Sequence, residues 1–298
     1  MKQHPAYGLL LALTGALIIA PDTLLMRLSG MGGFEMLGWR GTAMGLVLIA
    51  AWLIAARGRH LVEVSALATG GGALLVLCQA LNGALFSVAI SVAPVTVVLM
   101  GVATVPIFSA VLSHLMLGEP TTRATWLTIA AVLFGIALAI FGKSDAGLPF
   151  DLATLWGGLM GLSMGGFLAM TFVLIRKHHQ LPILLGMGLG AFVSGMVGWA
   201  FGVPSGASSF DVFLILVTGA VILPASFFLL TLANRYTASA NVSLLMLLET
   251  VLGPILVWVG VGEAPTPLMM VGGAIVVASL ATYLLHMRFA RGRAARAA

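Results

Sequence analysis

The sequence predicts an all-α membrane protein: ten transmembrane helices, arranged as two inverted five-helix repeats around a central cavity. Three observations predict it. Of the 298 residues, 60% are hydrophobic and 8% charged, whereas soluble domains carry about 25% charged residues. Apolar stretches of about 20 residues, the length that crosses a bilayer as a helix, recur along the whole chain. The two halves also match each other in register, and each holds an odd number of these stretches.

The first span, 6–27, follows Lys2 and resembles a secretion signal. Its apolar run is long and no small-x-small cleavage site follows, so it reads as an uncleaved span. The next four spans are 34–56, 65–90, 94–117 and 123–142, with the short turn "GEPT" at 118–121 between the last two. The polar stretch "GKSDAGLPFD" at 142–151 is the longest break and links two halves. Spans 153–175, 182–202, 210–233, 238–261 and 266–288 follow, the last two joined by "GEAPT" at 262–266. The first repeat thus occupies 1–144, the second 150–290, and 291–298 is a basic tail. No loop has room for a soluble domain. The 37 glycines suit helices that pack closely in lipid.

Two stretches carry the repeat. "YGLLLALT…LLMR" at 7–27 lies over "WGGLMGLS…VLIR" at 156–176, pairing Tyr7 with Trp156 and Arg27 with Arg176. "LMLGEPTT" at 115–122 lies over "VGVGEAPT" at 259–266, pairing Glu119 with Glu263. Similar halves of five spans each must insert with opposite orientation, the design of many secondary transporters with a midplane site between the repeats. If the N-terminus is inside, the inner side collects Lys2, Arg57, Arg59, Arg123, Arg176, Lys177, Arg235 and the arginines of the tail, and the outer side keeps Arg27 and Lys143. Positive charge marks the cytoplasmic side, so both termini are expected there.

Several classes are excluded. A single cysteine, Cys78, rules out an intrachain disulfide and a cysteine-built zinc or iron–sulfur site. The net charge of +5 reflects helix ends and the tail and is no signature of nucleic-acid binding. "GLSMG" at 161–165 matches the hydrolase G-x-S-x-G pattern, but that motif needs a strand–turn–helix, and here it lies within a span as part of a Gly157, Gly161, Gly165 ridge. HExxH and Walker motifs are absent. His114 reads as a helix-end hydrogen bonder, and His178 and His179 as part of a solvated inner loop. The expectation is no enzyme, no metal and no cofactor.

Candidate binding residues lie mid-span. Gln79, Asn82 and Phe86 are spaced i, i+3, i+7 and share a helix face. Two amides there can bind a polar ligand, with Phe86 against its apolar part, or can hold helices together. The repeat sets Ser226 opposite Asn82, with Phe227 beside it. Met100, Gly101 and Thr104 lie mid-way along the fourth span, where Gly101 lets a ligand or a helix approach. Ser163, Phe167 and Met170 form a stripe in the sixth that suits core or site. Asp22 and Arg40 fall at equal depth in the first two spans, and an intramembrane charge needs a partner, so they are expected to form a structural or gating pair.

Glu249 stands half-way along the ninth span, and Pro254 should kink the helix near Thr250. A carboxylate at that depth costs about 2.5–3.5 kcal/mol. Three roles compete: a neutral packing group, a proton carrier, or a partner for a substrate ammonium. A helix facing protein and a watery cavity tolerates each of them.

This pattern of ten spans with a Gly-Glu turn closing the fourth span of each half resembles the drug/metabolite transporter superfamily, EamA type. Within it, "APDTLLMR" at 20–27 and "YTASANVSLLMLLETVLGPI" at 236–255 are similar to bacterial aromatic amino acid exporters of the YddG type. The chain departs from the commoner pattern at Thr250, where proline often follows the glutamate, and at Val105, where the first half has no acid. The resemblance implies a basket of helices around a cavity, and export of amino acids across the bacterial inner membrane without ATP. The expected partners are neutral amino acids, aromatic ones included, and the lipid bilayer; a monomer suffices. The alternative is another solute, such as a nucleoside, sugar phosphate or cationic drug. A sugar phosphate would want basic residues in the central spans, and these have none. A drug would want acids, and Glu249 is the one near the midplane.

Overall fold

The computed structural model describes residues 5–92, 98, 101–141, 152–202, 206–261 and 267–297. Among them all regular structure is helical. Seven helical segments are long and apolar enough to cross a membrane, and three shorter apolar helices, Val105–Leu117, Arg123–Gly135 and Met270–Tyr283, accompany them.

The first half holds α1 (Pro5–Ile19), α2 (Asp22–Ser29), α3 (Gly33–Ala55), α4 (His60–Leu67), α5 (Gly70–Val92), α6 (Val105–Leu117) and α7 (Arg123–Phe141). The second holds α8 (Leu152–Lys177), α9 (Ile183–Phe201), α10 (Ser209–Val217), a π-helical segment (Thr218–Ile222), α11 (Leu223–Ala233), α12 (Ser239–Met246), α13 (Glu249–Val261) and α14 (Pro267–Ala297). The tail expected at 291–298 continues α14 as helix up to Ala297.

Several expected spans are interrupted, each for a local reason. The first breaks between α1 and α2 at Ala20–Pro21, where proline has no N–H to continue the ladder. The third starts later than expected, because the short helix α4 ends at Leu67 and the chain turns through a run of glycines into α5. A side chain at Gly72 would overlap the backbone of Leu67, so this corner requires glycine there. The fourth turns at Ala103–Thr104, just before Pro106. The eighth widens into the π segment ahead of Pro224, with the Leu223 N–H bonded to the Thr218 carbonyl. The ninth breaks at Leu247–Leu248, about one turn before the kink expected at Thr250. There, three-residue bonds from Leu247, Leu248, Thr250 and Val251 tighten the chain, and the Thr250 hydroxyl donates to the Leu247 carbonyl at 2.7 Å. The breaks at Ala103–Thr104 and Leu247–Leu248 stand opposite each other in the register that pairs Glu119 with Glu263.

Helix pairing follows a regular scheme. α3 packs on α9, α6 on α12 and α7 on α14. The contact of α1 with α11 is matched by that of α5 with α8, α6–α8 is matched by α1–α12, and α5–α9 by the contact of the π segment with α3. Small residues permit the closest approach: a Cβ at Gly41 would lie 2.6 Å from the Gly195 nitrogen, and one at Gly45 2.7 Å from Phe192. The main core joins α1, α3, α5, α8, α9, α11 and α12, including Leu168, Phe172, Leu230 and Leu245. A second cluster, with Val132, Leu244 and Val276, fixes α7 and α14 against α6 and α12.

One end of the bundle gathers both ends of the described chain. Tyr7 stacks edge-on against Tyr236 at 5.1 Å. The Tyr283 hydroxyl donates to Asn241 Oδ1 at 2.5 Å, and Asn241 Nδ2 donates to Thr237 Oγ1 at 3.2 Å. Glu119 and Arg176 meet at this same end.

Candidate functional site

Toward the opposite end, charge is buried. Arg40 on α3 donates to Asp22 Oδ2 at 2.5 Å, with side chains 7% and 3% exposed. Asp22 opens α2 because Pro21 ends the preceding helix, and Arg40 reaches it from the next span. The second carboxylate oxygen, Oδ1, and Arg40 Nε find no partner among the described residues. The guanidinium carbon lies 5.9 Å from the centre of the Phe86 ring, within cation–π range. Gly219 in the π segment comes so close that a Cβ there would be 2.8 Å from the Arg40 carbonyl. π-bulges of this kind occur often at functional sites.

Glu249 is the first residue of α13 and is half-buried. It lies within electrostatic range of both Asp22 and Arg40. The reason is the packing of α13 on α2, where Gly253 faces Thr23 and Gly260 faces Leu24. Glu249 precedes Gly253 by one turn and so shares its face. The sequence reading treated Glu249 separately from the Asp22–Arg40 pair; the structure makes them one neighbourhood.

The other candidates divide. Gln79 and Asn82 are buried at 3% and 4% exposure, and Ser226 at 0%. Gln79 Oε1, Asn82 Oδ1 and Ser226 Oγ have no partner among the described residues. Such orphans cost about 1–3 kcal/mol each if left dry. Gln79 rests its stem on Gly190 of α9, where a Cβ would be 2.6 Å away. Phe227 is buried, and Phe86 packs half-buried against the main core.

Gly101 instead serves packing, since a side chain there would overlap the backbone of Gly161 and Leu162 on α8. Thr104 lies beside Gly165 and donates its hydroxyl to the Gly101 carbonyl at 2.5 Å. The glycine ridge containing "GLSMG" is thus a helix contact. Ser163 is exposed on α8, with Phe167 half-buried. Met100 lies outside the described residues.

A second polar cluster was not foreseen as one. Arg176, read from sequence as an orientation charge and the repeat counterpart of Arg27, grips Glu119 through Nε at 2.9 Å to both oxygens and Nη2 at 2.6 Å. Its Nη1 donates to the carbonyls of Asn234 and Thr237 at 3.2 and 2.8 Å. Beside it, a cavity of about 190 Å³ is lined by Ser113, Glu119, Thr122, Asn241 and Tyr283 among others. Among the described residues no group of histidine, cysteine or acid side chains is placed to hold a metal.

Broken apolar helices around buried polar groups define a polytopic membrane protein. Residues 6–141 match the EamA-like transporter family. The chain is 25% identical over 195 residues to the "Uncharacterized transporter YdfC" of Bacillus subtilis (strain 168), covering 61% of this chain. That match spans 60% of the relative's length. A solved structure titled "Crystal structure of protein" superposes with a TM-score of 0.76 at 21% identity, over 95% of this chain and 99% of that one, and shows the likeness of fold. These findings show a likeness to the EamA-like transporter family over the first part of the chain and a shared fold over nearly all of it.

Proposed function

We propose that this protein is a secondary transporter that exports neutral amino acids, aromatic ones included, by alternating access across the bacterial inner membrane. The observation that supports the reading is the set of three buried side-chain oxygens, on Gln79, Asn82 and Ser226, that have no partner among the described residues. In this reading the three groups take the ammonium and carboxylate of a zwitterion, while Phe86 and Phe227 take its side chain. A neutral site without a dedicated counter-ion binds weakly, which suits release. The subgroup resemblance supplies the aromatic preference.

The same reading takes ten spans in two inverted repeats, 1–144 and 150–290, with both termini cytoplasmic. The mirrored helix pairs and the matched breaks in the fourth and ninth spans support it. Discontinuous helices at corresponding positions of two halves point to a transport site. Closure at the Glu119 end comes from Arg176, which joins residues of both halves.

Cells overproducing the protein should resist toxic phenylalanine or tryptophan analogues and accumulate less of them. Asn82→Leu should remove that resistance at normal expression. Normal transport by both Asn82→Leu and Gln79→Leu would move the site elsewhere.

A further inference from the structure

We propose that Asp22, Arg40 and Glu249 form a proton-coupling site, in which Glu249 takes up and releases one proton per transport cycle while Asp22 and Arg40 stay paired. Three observations converge. First, the neighbourhood holds two carboxyl groups against one guanidinium, so with Asp22 and Arg40 neutralising each other the Glu249 charge is left over. Among the described residues, the other charged groups acting on Glu249 are Asp22 from α2 and Arg40 from α3. α1 and α14, which also pack on α13, bring their tyrosines Tyr7 and Tyr283 to the opposite end of the bundle. Second, Asp22 Oδ1 is buried without a partner among the described residues. It can accept a hydrogen bond from a protonated neighbour or a water that relays the proton, whereas a second anion would repel it. Third, the group sits at two helix irregularities: Glu249 begins a new helical segment after the Leu247–Leu248 break, and the π segment lies against Arg40.

The step is a simple exchange. The Glu249 carboxylate accepts a proton from the side on which the site is open. The neutral carboxyl crosses the conformational change without leaving an unpaired charge inside the bundle, where charge is costly. The proton then leaves to the other side, and the carboxylate returns to the attraction of Arg40. A closed cycle of this kind ties proton movement to movement of the amino acid. The coupling rests on the transport reading above, but the protonation does not.

Two measurements separate them. Infrared titration of the purified protein between about pH 5 and 8 should show a protonated-carboxyl band that disappears in Glu249→Gln and persists in Asp22→Asn. In liposomes carrying a trapped pH dye, phenylalanine movement should be accompanied by proton movement. Glu249→Gln should lower pH-driven accumulation by about tenfold or more while phenylalanine exchange falls far less, and Glu249→Asp should restore part of the pH drive. A wild-type protein with no titrating carboxyl band overturns the proposal. So does phenylalanine transport without proton movement, transport driven by a sodium gradient alone, or an unaltered pH drive in Glu249→Gln. A titrating Glu249 in a protein that moves no neutral amino acid upholds the proton site and removes the substrate reading.

Discussion

The two ends of the bundle each carry an arginine–carboxylate pair, and the pairs are built oppositely. At one end Arg176 uses all three guanidinium nitrogens, on Glu119 and on the carbonyls of Asn234 and Thr237. Its side chain is 15% exposed and that of Glu119 36%. At the other end the Asp22–Arg40 pair is sealed, yet among the described residues Asp22 Oδ1 and Arg40 Nε go unused. The first pair joins residues that precede and follow the 142–151 stretch and uses every guanidinium nitrogen, so it suits a latch. The second lies within the first half and is incomplete, with Glu249 from the second half beside it. A satisfied pair holds a state, whereas an incomplete one leaves a place for a ligand or a proton.

The largest expected effect comes from breaking the sealed pair. Arg40→Ala strands the Asp22 carboxylate, and removing one partner of a buried pair costs about 3–5 kcal/mol. Thermal unfolding in detergent should show it, and the double substitution with Asp22→Ala should recover much of the loss. If Arg40→Ala alone unfolds like the wild type, the pair is not buried as described.

Gly219→Ala sharpens the comparison, because its Cβ would press on the Arg40 carbonyl at 2.8 Å. Overpacking of this kind costs about 1–3 kcal/mol, and the damage should stay at the Asp22 end. Hydrogen exchange should speed up around Arg40 and leave the segment around Thr237 protected.

These two predictions show what was readable in advance. Asp22 and Arg40 could be paired from sequence because both are charges at one depth in consecutive spans. Span limits followed from apolar length, and the first break from Pro21. The break at Leu247–Leu248 was displaced from expectation because Pro254 marks the disturbance about a turn late, and the Thr250 hydroxyl shapes the turn instead. The Arg176–Glu119 latch was hidden since its residues stand in different halves, and each alone looks like an ordinary helix-end charge. Gly101 stood among the site candidates although glycine also suits close packing, and α8 occupies the space.

A smaller effect is expected at the latch. Arg176→Gln breaks a partly exposed pair, and such pairs contribute about 0–1 kcal/mol, so stability should change little. Access should change more. With Cys78 replaced by alanine, Ser113→Cys beside the Glu119 cavity should label faster with a membrane-impermeant thiol reagent when Arg176 is glutamine. Equal labelling would deny Arg176 a role in closure.

The smallest effect is expected for Tyr283→Phe, which removes the hydroxyl that meets Asn241 at 2.5 Å and Thr125 at 3.1 Å. A net loss of about 1 kcal/mol is expected, measured as a modest fall in thermal stability with transport retained.

The central claim is that Gln79, Asn82 and Ser226, whose oxygens find no partner among the described residues, hold a neutral amino acid. Counterflow in proteoliposomes tests it most directly: vesicles loaded with unlabelled phenylalanine should accumulate labelled phenylalanine transiently, and Asn82→Leu vesicles should not. Failure of every neutral amino acid to exchange, while a nucleoside or a cationic drug does exchange, would contradict the claim.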